Sequence, residues 1–331
     1  MMQQETICRG RFAPTPSGKM HIGNALTALL GWLQMRRLNG CYILRIEDID
    51  EQRSRGELVD ELIRDLKWLG LDWDEGPGVG GSFGPYVQTE RKALYEHALA
   101  KLNEAGLLYP CYCSRADIMA AASAPHGLAS EGRRYPGTCR HLTKEEAQRK
   151  ELHKKPSLRM KVPKQAVAFT DEIAGHQIYA LEKSGDFVVR RADAMISYQL
   201  AVVVDDALMG ITHVLRGADL LDSTPRQLLL YEALGYKPPH FAHVPLIVDA
   251  EGKRLAKRNR GLSLSFLRGQ GIQPQRIVGW LAWTAGLISS PEPVSPSELV
   301  QSFDTAHITP EPIRLTHAAL KMLFTPLPTL Q

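Results

Sequence analysis

Long hydrophobic runs are missing from this chain of 331 residues: no uninterrupted apolar stretch approaches the ~18 residues of a membrane span. The opening residues, MMQQETICRGRF, lack the apolar core of a secretory signal. These two absences predict a soluble, cytoplasmic protein with no membrane partner. Cysteine is scarce and odd in number, five in all, which argues against a disulfide framework. Charge of one sign is not in excess either, since the formal net charge is only +4. The glycine- and proline-bearing stretch FAPTPSGKMHIGNALTALL, residues 12–30, is neither a Walker A loop nor a G-x-G-x-x-G fingerprint. The common kinase and dehydrogenase readings of such a loop therefore fail.

What is present is alternation. ICRGRFA (7–13) and CYILRIED (41–48) are short and rich in β-branched or aromatic residues. LTALLGWLQMRRL (26–38) and ELVDELIRDLKWLGL (57–71) repeat apolar residues every three or four positions, and a third helix is expected from Glu90 to Glu104. Such alternation predicts βαβ units, an α/β fold and a parallel sheet. The pattern lapses and then resumes at DFVVRRADAMISYQLAVVVDDALMGITHVLRG (186–217). We therefore divide the chain into a first half of a nucleotide-binding core (1–106), an insertion (107–185), a second half of the core (186–265) and a short helical C-terminal region (266–331). Thr224, Pro225 and Gln227 fit a capping box with proline at the first helical position.

The stretch from Arg11 to Leu30 reads as a strand, a tight loop and a helix starting near His21. Helix N-termini offer unpaired N–H groups and the positive end of the macrodipole, which suits phosphate. Gly18 and Gly23 carry no Cβ to obstruct a nucleotide, while Pro14 and Pro16 stiffen the loop. Local chemistry alone predicts an anion cradle. Elsewhere, residues 133–164 hold eleven Lys or Arg against three Glu, a patch that suits a polyanion. Cys111, Cys113 and Cys139 cluster within 29 residues and suggest a soft metal such as zinc, with Tyr135, His126 and His141 as rival fourth donors.

RFAPTPSG followed by HIGN (21–24) resembles the signature of the class I aminoacyl-tRNA synthetases, and the wider run resembles the glutamyl subgroup. The likeness continues through RIEDID (45–50), LGLDWDEGP (69–77) and YQLAVVVDDALMGITHVLRGADLLDSTPRQ (198–227). It ends at KRLAKRNRG (253–261), where the family places its KMSKS loop. The resemblance implies a Rossmann-type doubly wound parallel sheet with an inserted zinc-containing subdomain and a short helical C-terminal region.

It also implies a chemistry and its residues. In amino-acid activation a carboxylate attacks the α-phosphate of ATP, assisted by Mg²⁺, and His21 and Lys257 match the family's two phosphate-handling residues. Gly18, Gly23, Asn24 and Arg254 complete the implied ATP contacts. The implied L-glutamate site comprises Arg11, Phe12, Ala13, Pro14, Thr15, Glu47, Tyr198 and Arg216. Two arginines facing one small ligand would favour glutamate over neutral glutamine. The competing structural roles are ion pairs of Arg216 with Asp219 and of Glu47 with Arg45 or Arg53. Ala256 and Arg258 depart from the hydroxyl-bearing pattern of the KMSKS loop, while Lys257 is kept.

The pattern C-x-C…Y-x₃-C resembles a structural zinc site with Cys111, Cys113, Tyr135 and Cys139 as ligands, one ion per chain. The chain ends about 70 residues after the KMSKS-like loop, and RGADLL (216–221) replaces an acidic run usual in full-length members. Both features resemble a branch of the family that esterifies glutamate to queuosine at the wobble position of tRNA(Asp). Monomeric behaviour is expected. The alternatives are a truncated enzyme charging the 3′ end of tRNA and an inactive zinc-containing tRNA-binding module.

Overall fold

The structure, a computed structural model, describes residues 7–114, 116–118, 134–252 and 262–324. Strand β1 (Arg9–Phe12) runs through a tight loop into helix α1 (Ile22–Arg37), which returns the chain to β2 (Cys41–Leu44). The two strands pair in parallel, Arg9 opposite Cys41 and Phe12 opposite Leu44. Helix α2 (Gly56–Leu69) shows why the periodicity was informative. Its apolar stripe buries Leu62, Leu66 and Leu69, and Gly70 closes it in a left-handed conformation at φ 81°. Helix α3 (Lys92–Glu104) follows a 3₁₀ turn over Gln88–Arg91, close to the predicted span.

Next come β3 (Leu108–Cys111), α4 (Lys144–Glu151), β4 (Ser157–Met160), the hairpin β5 (Ala166–Asp171) and β6 (Gly175–Ala180), and β7 (Phe187–Arg190). Helix α5 (Tyr198–Leu208), β8 (His213–Gly217), α6 (Thr224–Leu234) and β9 (His240–Val244) complete the core. The central sheet has six strands in the order β2-β1-β8-β9-β5-β6, parallel except for the edge strand β6, and so is Rossmann-like. A separate antiparallel sheet, β3-β4-β7, carries the cysteine region at one end. The segment 107–185 thus contributes strands to both sheets, while β7 lies just beyond it. Pairing partners, not sequence order, decide which layer a short strand joins. Among the described residues, no helix is long and apolar enough to cross a membrane.

The expected capping box at Thr224 is not formed. Helix α6 does have a proline in its first turn, but its N-cap is Ser223. Thr224 Oγ1 accepts instead from Arg216 Nη2 at 2.9 Å, and Gln227 Nε2 donates to Gln199 Oε1 at 2.9 Å. Buried tertiary partners outcompete the local cap.

Below the sheet's functional end lies a group of buried charges. Asp205 is fully buried and accepts from Arg91 Nε at 2.6 Å, Gln88 Nε2 at 2.8 Å and the Tyr95 hydroxyl at 2.9 Å. Removing one member of such a group leaves its partners charged and dry. Asp205→Ala is therefore expected to cost about 3–5 kcal/mol of stability, read as a lowered urea midpoint. A loss below about 1 kcal/mol would mean that Arg91 and Arg45 find other partners.

Candidate active site

A cavity of about 1080 Å³ opens at the C-terminal ends of β1 and β8, where open α/β sheets collect ligands. The loop leaving β1 forms one wall. It is tied to the segment after β2 by backbone bonds, Arg45 N–H to the Phe12 carbonyl and Glu47 N–H to the Pro14 carbonyl, both at 3.0 Å. Arg55 N–H holds the Pro16 carbonyl at 3.2 Å. Arg11, Phe12, Ala13, Pro14, Thr15 and Gly18 all line the cavity.

His21 caps α1 through its side chain: Nδ1 accepts the Gly23 N–H at 3.1 Å, and the Asn24 side chain accepts from the His21 N–H. With Nδ1 occupied as an acceptor, the proton of the neutral ring sits on Nε2. A Cβ at position 23 would lie 3.0 Å from the His21 ring, so this glycine makes room for the cap itself. His21, Gly23 and Asn24 line the cavity at the positive end of the α1 dipole. Lys257 and Arg254 lie outside the described residues, as does His126.

The remaining wall brings together Glu47, Tyr198 and Arg216. Tyr198 lies close enough to Arg216, Glu47 and Arg11 to feel their charges. Glu47 takes the ion pair foreseen as its structural role, accepting from Arg45 Nη2 at 2.9 Å, and it borders the cavity as well. Burial pushes its carboxyl up, and Arg45 and Arg11 oppose that shift. Arg11 donates Nε to Asp206 at 3.2 Å, and Asp206 also receives Arg45 Nη1 at 2.7 Å.

Arg216 does not follow the Asp219 pairing considered from sequence. Its Nε donates to His243 Nε2 at 2.9 Å, its Nη2 to Thr224, and its buried Nη1 meets no hydrogen-bond partner among the described residues. Neither Asp206 nor His243 stood out in the sequence. A carboxylate inside the apolar helix YQLAVVVDDAL was the available signal for the first. Nothing local marked the second.

The three thiols of Cys111, Cys113 and Cys139 lie within 4.8 Å of one another, a soft donor set that fits a zinc ion. Cys111 Sγ donates to the Tyr135 hydroxyl at 3.3 Å, and that hydroxyl also accepts the Cys139 N–H at 2.8 Å. His141 is exposed and does not join the donor group. A second cavity, also of about 1080 Å³, extends from this cluster to Thr15, Ser17, Glu47 and Tyr198, which it shares with the first. Arg53, Lys154, Lys155, Arg159 and Arg191 line it. The basic run is partly internal: Lys154 Nζ donates to the Tyr112 carbonyl at 2.7 Å and Arg140 to Asp186 at 2.8 Å. Helix α4 in its middle buries none of its residues.

The sequence from residue 8 to 316 matches the family of class I tRNA synthetases (E and Q), catalytic domain. The chain is 61% identical over 307 residues to the Glutamyl-Q tRNA(Asp) synthetase of Symbiobacterium thermophilum, covering 92% of this chain and 95% of that one. It is 48% identical over 309 residues to the protein of the same name from Nitratidesulfovibrio vulgaris, covering 93% and 95%. Among solved structures, the glutamate-tRNA synthetase of Elizabethkingia anophelis is similar, with a TM-score of 0.83 at 28% identity over 96% of this chain and 70% of that one. The chain therefore belongs to the class I tRNA synthetases of the E and Q type, which are ligases. Within that class it falls in the glutamyl-Q tRNA(Asp) synthetase family.

His243 gives the site a definite acid sensitivity. Burial, opposed by the hydrogen bond to Asp171 and reinforced by the Arg216 charge, lowers its pKa from 6.5 to about 4. The unfolded chain thus binds a proton near 6.5 that the folded protein refuses until about 4. Stability should decline as pH falls through that window, by on the order of 3 kcal/mol from this group. Urea titrations across the window check this, and His243→Gln should flatten the dependence.

Proposed function

We propose that this protein activates L-glutamate with ATP, without tRNA, and transfers it to the cyclopentenediol of queuosine at the wobble position of tRNA(Asp). The observation that carries the first half is one cavity lined by Arg11, Arg216 and Glu47 together with the His21-capped start of α1. Two guanidiniums and one carboxylate complement a ligand with two carboxylates and one ammonium. Arg11 and Arg216 take the carboxylates, Glu47 the ammonium, and Tyr198 and Thr15 add hydroxyl donors. Phe12, Ala13 and Pro14 supply the wall beside them.

A glutamate α-carboxylate oxygen then attacks the α-phosphorus in line. The new P–O bond forms as the α–β anhydride bond breaks, and pyrophosphate leaves. Charge on the phosphoryl oxygens is the main obstacle, so positioned donors and cations matter more than acid–base chemistry. His21 Nε2–H and the α1 N–H groups serve the α-phosphate, Gly18, Gly23 and Asn24 the nucleotide, and Lys257 and Arg254 the departing pyrophosphate. Mg²⁺ enters with ATP and neutralises phosphate charge.

The second cavity supports the acceptor assignment. A base entering past Arg53, Lys154 and Arg191 meets the adenylate at the shared wall of Thr15, Glu47 and Tyr198. The shared name of the two relatives, Glutamyl-Q tRNA(Asp) synthetase, favours tRNA(Asp) as its source. The reaction divides cleanly in the test. Glutamate-dependent ATP–pyrophosphate exchange is expected without tRNA, and transfer is expected to queuosine-containing tRNA(Asp) even after removal of its 3′-terminal adenosine. Transfer that needs that adenosine, or that proceeds equally to tRNA with guanine at the wobble position, would overturn the acceptor; absence of exchange would favour a binding module.

Cys111, Cys113, Tyr135 and Cys139 are the residues that would hold a structural zinc, which when bound would tie the end of β3 to the turn at 137–140. The Tyr135 hydroxyl, already against Cys111, supports its role as fourth ligand. Elemental analysis should find about one zinc per chain, lost in Cys139→Ala. Metal content indifferent to the cluster's cysteines would overturn the site.

A further inference from the structure

Arg216 is held through two of its three guanidinium nitrogens. Nε is taken by His243 and Nη2 by Thr224 and the Leu220 carbonyl, whereas Nη1 is buried and meets no hydrogen-bond partner among the described residues; the residue itself lines the cavity. An unpaired buried donor is costly, and a ligand carboxylate would satisfy it. What fixes the guanidinium is therefore, in part, what holds Nε.

The bond between Arg216 and His243 fixes a tautomer. An arginine Nε–H can only donate, so His243 Nε2 must accept and the ring proton must sit on Nδ1. Asp171 Oδ2 lies 2.6 Å from Nδ1 and takes that proton's hydrogen bond. The other oxygen, Oδ1, is locked by three backbone N–H groups, Ile173 at 3.1 Å, Ala174 at 2.8 Å and His243 at 3.1 Å. Both side chains, His243 and Asp171, are fully buried.

We propose that Asp171 and His243 are positioning residues for Arg216: the carboxylate selects the Nδ1–H tautomer, and that tautomer fixes the guanidinium at the cavity wall for the ligand carboxylate, setting the preference for glutamate over glutamine. The inference rests on the reading that Arg216 binds a glutamate carboxylate. An imidazolium at His243 would set N–H against N–H and release Arg216. Burial and the Arg216 charge, which oppose that state, hold the pKa of the ring near 4.

Asp171→Asn tests it with almost no change in shape. The three backbone N–H groups keep the amide oxygen in the Oδ1 position, so the amide NH₂ faces His243 Nδ1. That nitrogen must then accept, the ring proton moves to Nε2, and it opposes the Arg216 Nε–H. The KM for glutamate in pyrophosphate exchange should rise about 10- to 100-fold, the loss of one charge-assisted hydrogen bond, with the KM for ATP within about twofold. The glutamate-to-glutamine ratio should fall with it. Nitrogen NMR of the imidazole, read apart from activity, should show Nδ1–H in the natural protein and Nε2–H in the variant.

A second pair separates positioning from simple packing. His243→Gln keeps an acceptor where Nε2 stood and should retain more glutamate affinity than His243→Asn, which keeps only the Asp171 contact. A tautomer swap with unchanged KM for glutamate, or a natural protein without Nδ1–H, overturns the positioning role. No exchange by the natural protein overturns the glutamate reading instead.

Discussion

Three guanidiniums and three carboxylates are buried together between helix α5 and the first two strands, and the geometry of the cavity follows from how they satisfy one another. Arg45 is at the centre, fully buried, with Nη1 on Asp206 at 2.7 Å, Nη2 on Glu47 at 2.9 Å and Nε 3.7 Å from Asp205. Asp206 extends the group to Arg11, and Asp205 extends it to Arg91. Desolvating six charges is expensive, and the cost is tolerable only where each has partners at hydrogen-bonding distance. That requirement ties α5 to β1 and to the segment after β2. Arg11 and Glu47, the two members that border the cavity, are thereby held still.

A ligand site built this way is prepared before the ligand arrives. The first turn of α1 presents N–H groups ordered by the His21 cap, and Gly23 leaves the ring its place. Arg216 is held at the cavity wall by the bonds of Nε to His243 and Nη2 to Thr224. Side chains locked by buried neighbours give up little entropy when a substrate binds, so more of the interaction energy reaches the reacting centre. Thr224 shows the cost of this order at the local level. It forgoes the helix cap its sequence position invites and holds Arg216 instead.

The antiparallel sheet β3-β4-β7 places the thiol cluster beside the second cavity, so a metal there would act on shape and not on the reacting atoms. The sheet is also held together by polar contacts. Asp186 accepts from the Tyr109 hydroxyl at 2.6 Å and from Arg140 at 2.8 Å, joining the inserted region to the start of β7. Arg159 stacks over the Tyr135 ring at 3.8 Å, close to the cluster. Within the basic run, Arg140 and Lys154 make internal ties, whereas the basic residues of helix α4 lie on an element that buries none of its side chains.

Local chemistry by itself determined much of this protein. Periodicity placed α1, α2 and α3, alternation indicated a parallel sheet, and proline, glycine and His21 marked a strand, loop and helix fit for phosphate, because each of these signals acts over a few residues. Arg11, Glu47, Tyr198 and Arg216 were nameable through three separate motifs of the family resemblance, and the fold sets them on one cavity. Only the tertiary structure decided that β5 and β6 join the central sheet while β7 joins the other, since strand pairing is a choice among distant partners. It alone also decided that Asp171 and His243 stand behind Arg216. Those contacts cross 27 to 72 residues and depend on burial, which removes water as the competing partner and which no short stretch of sequence encodes.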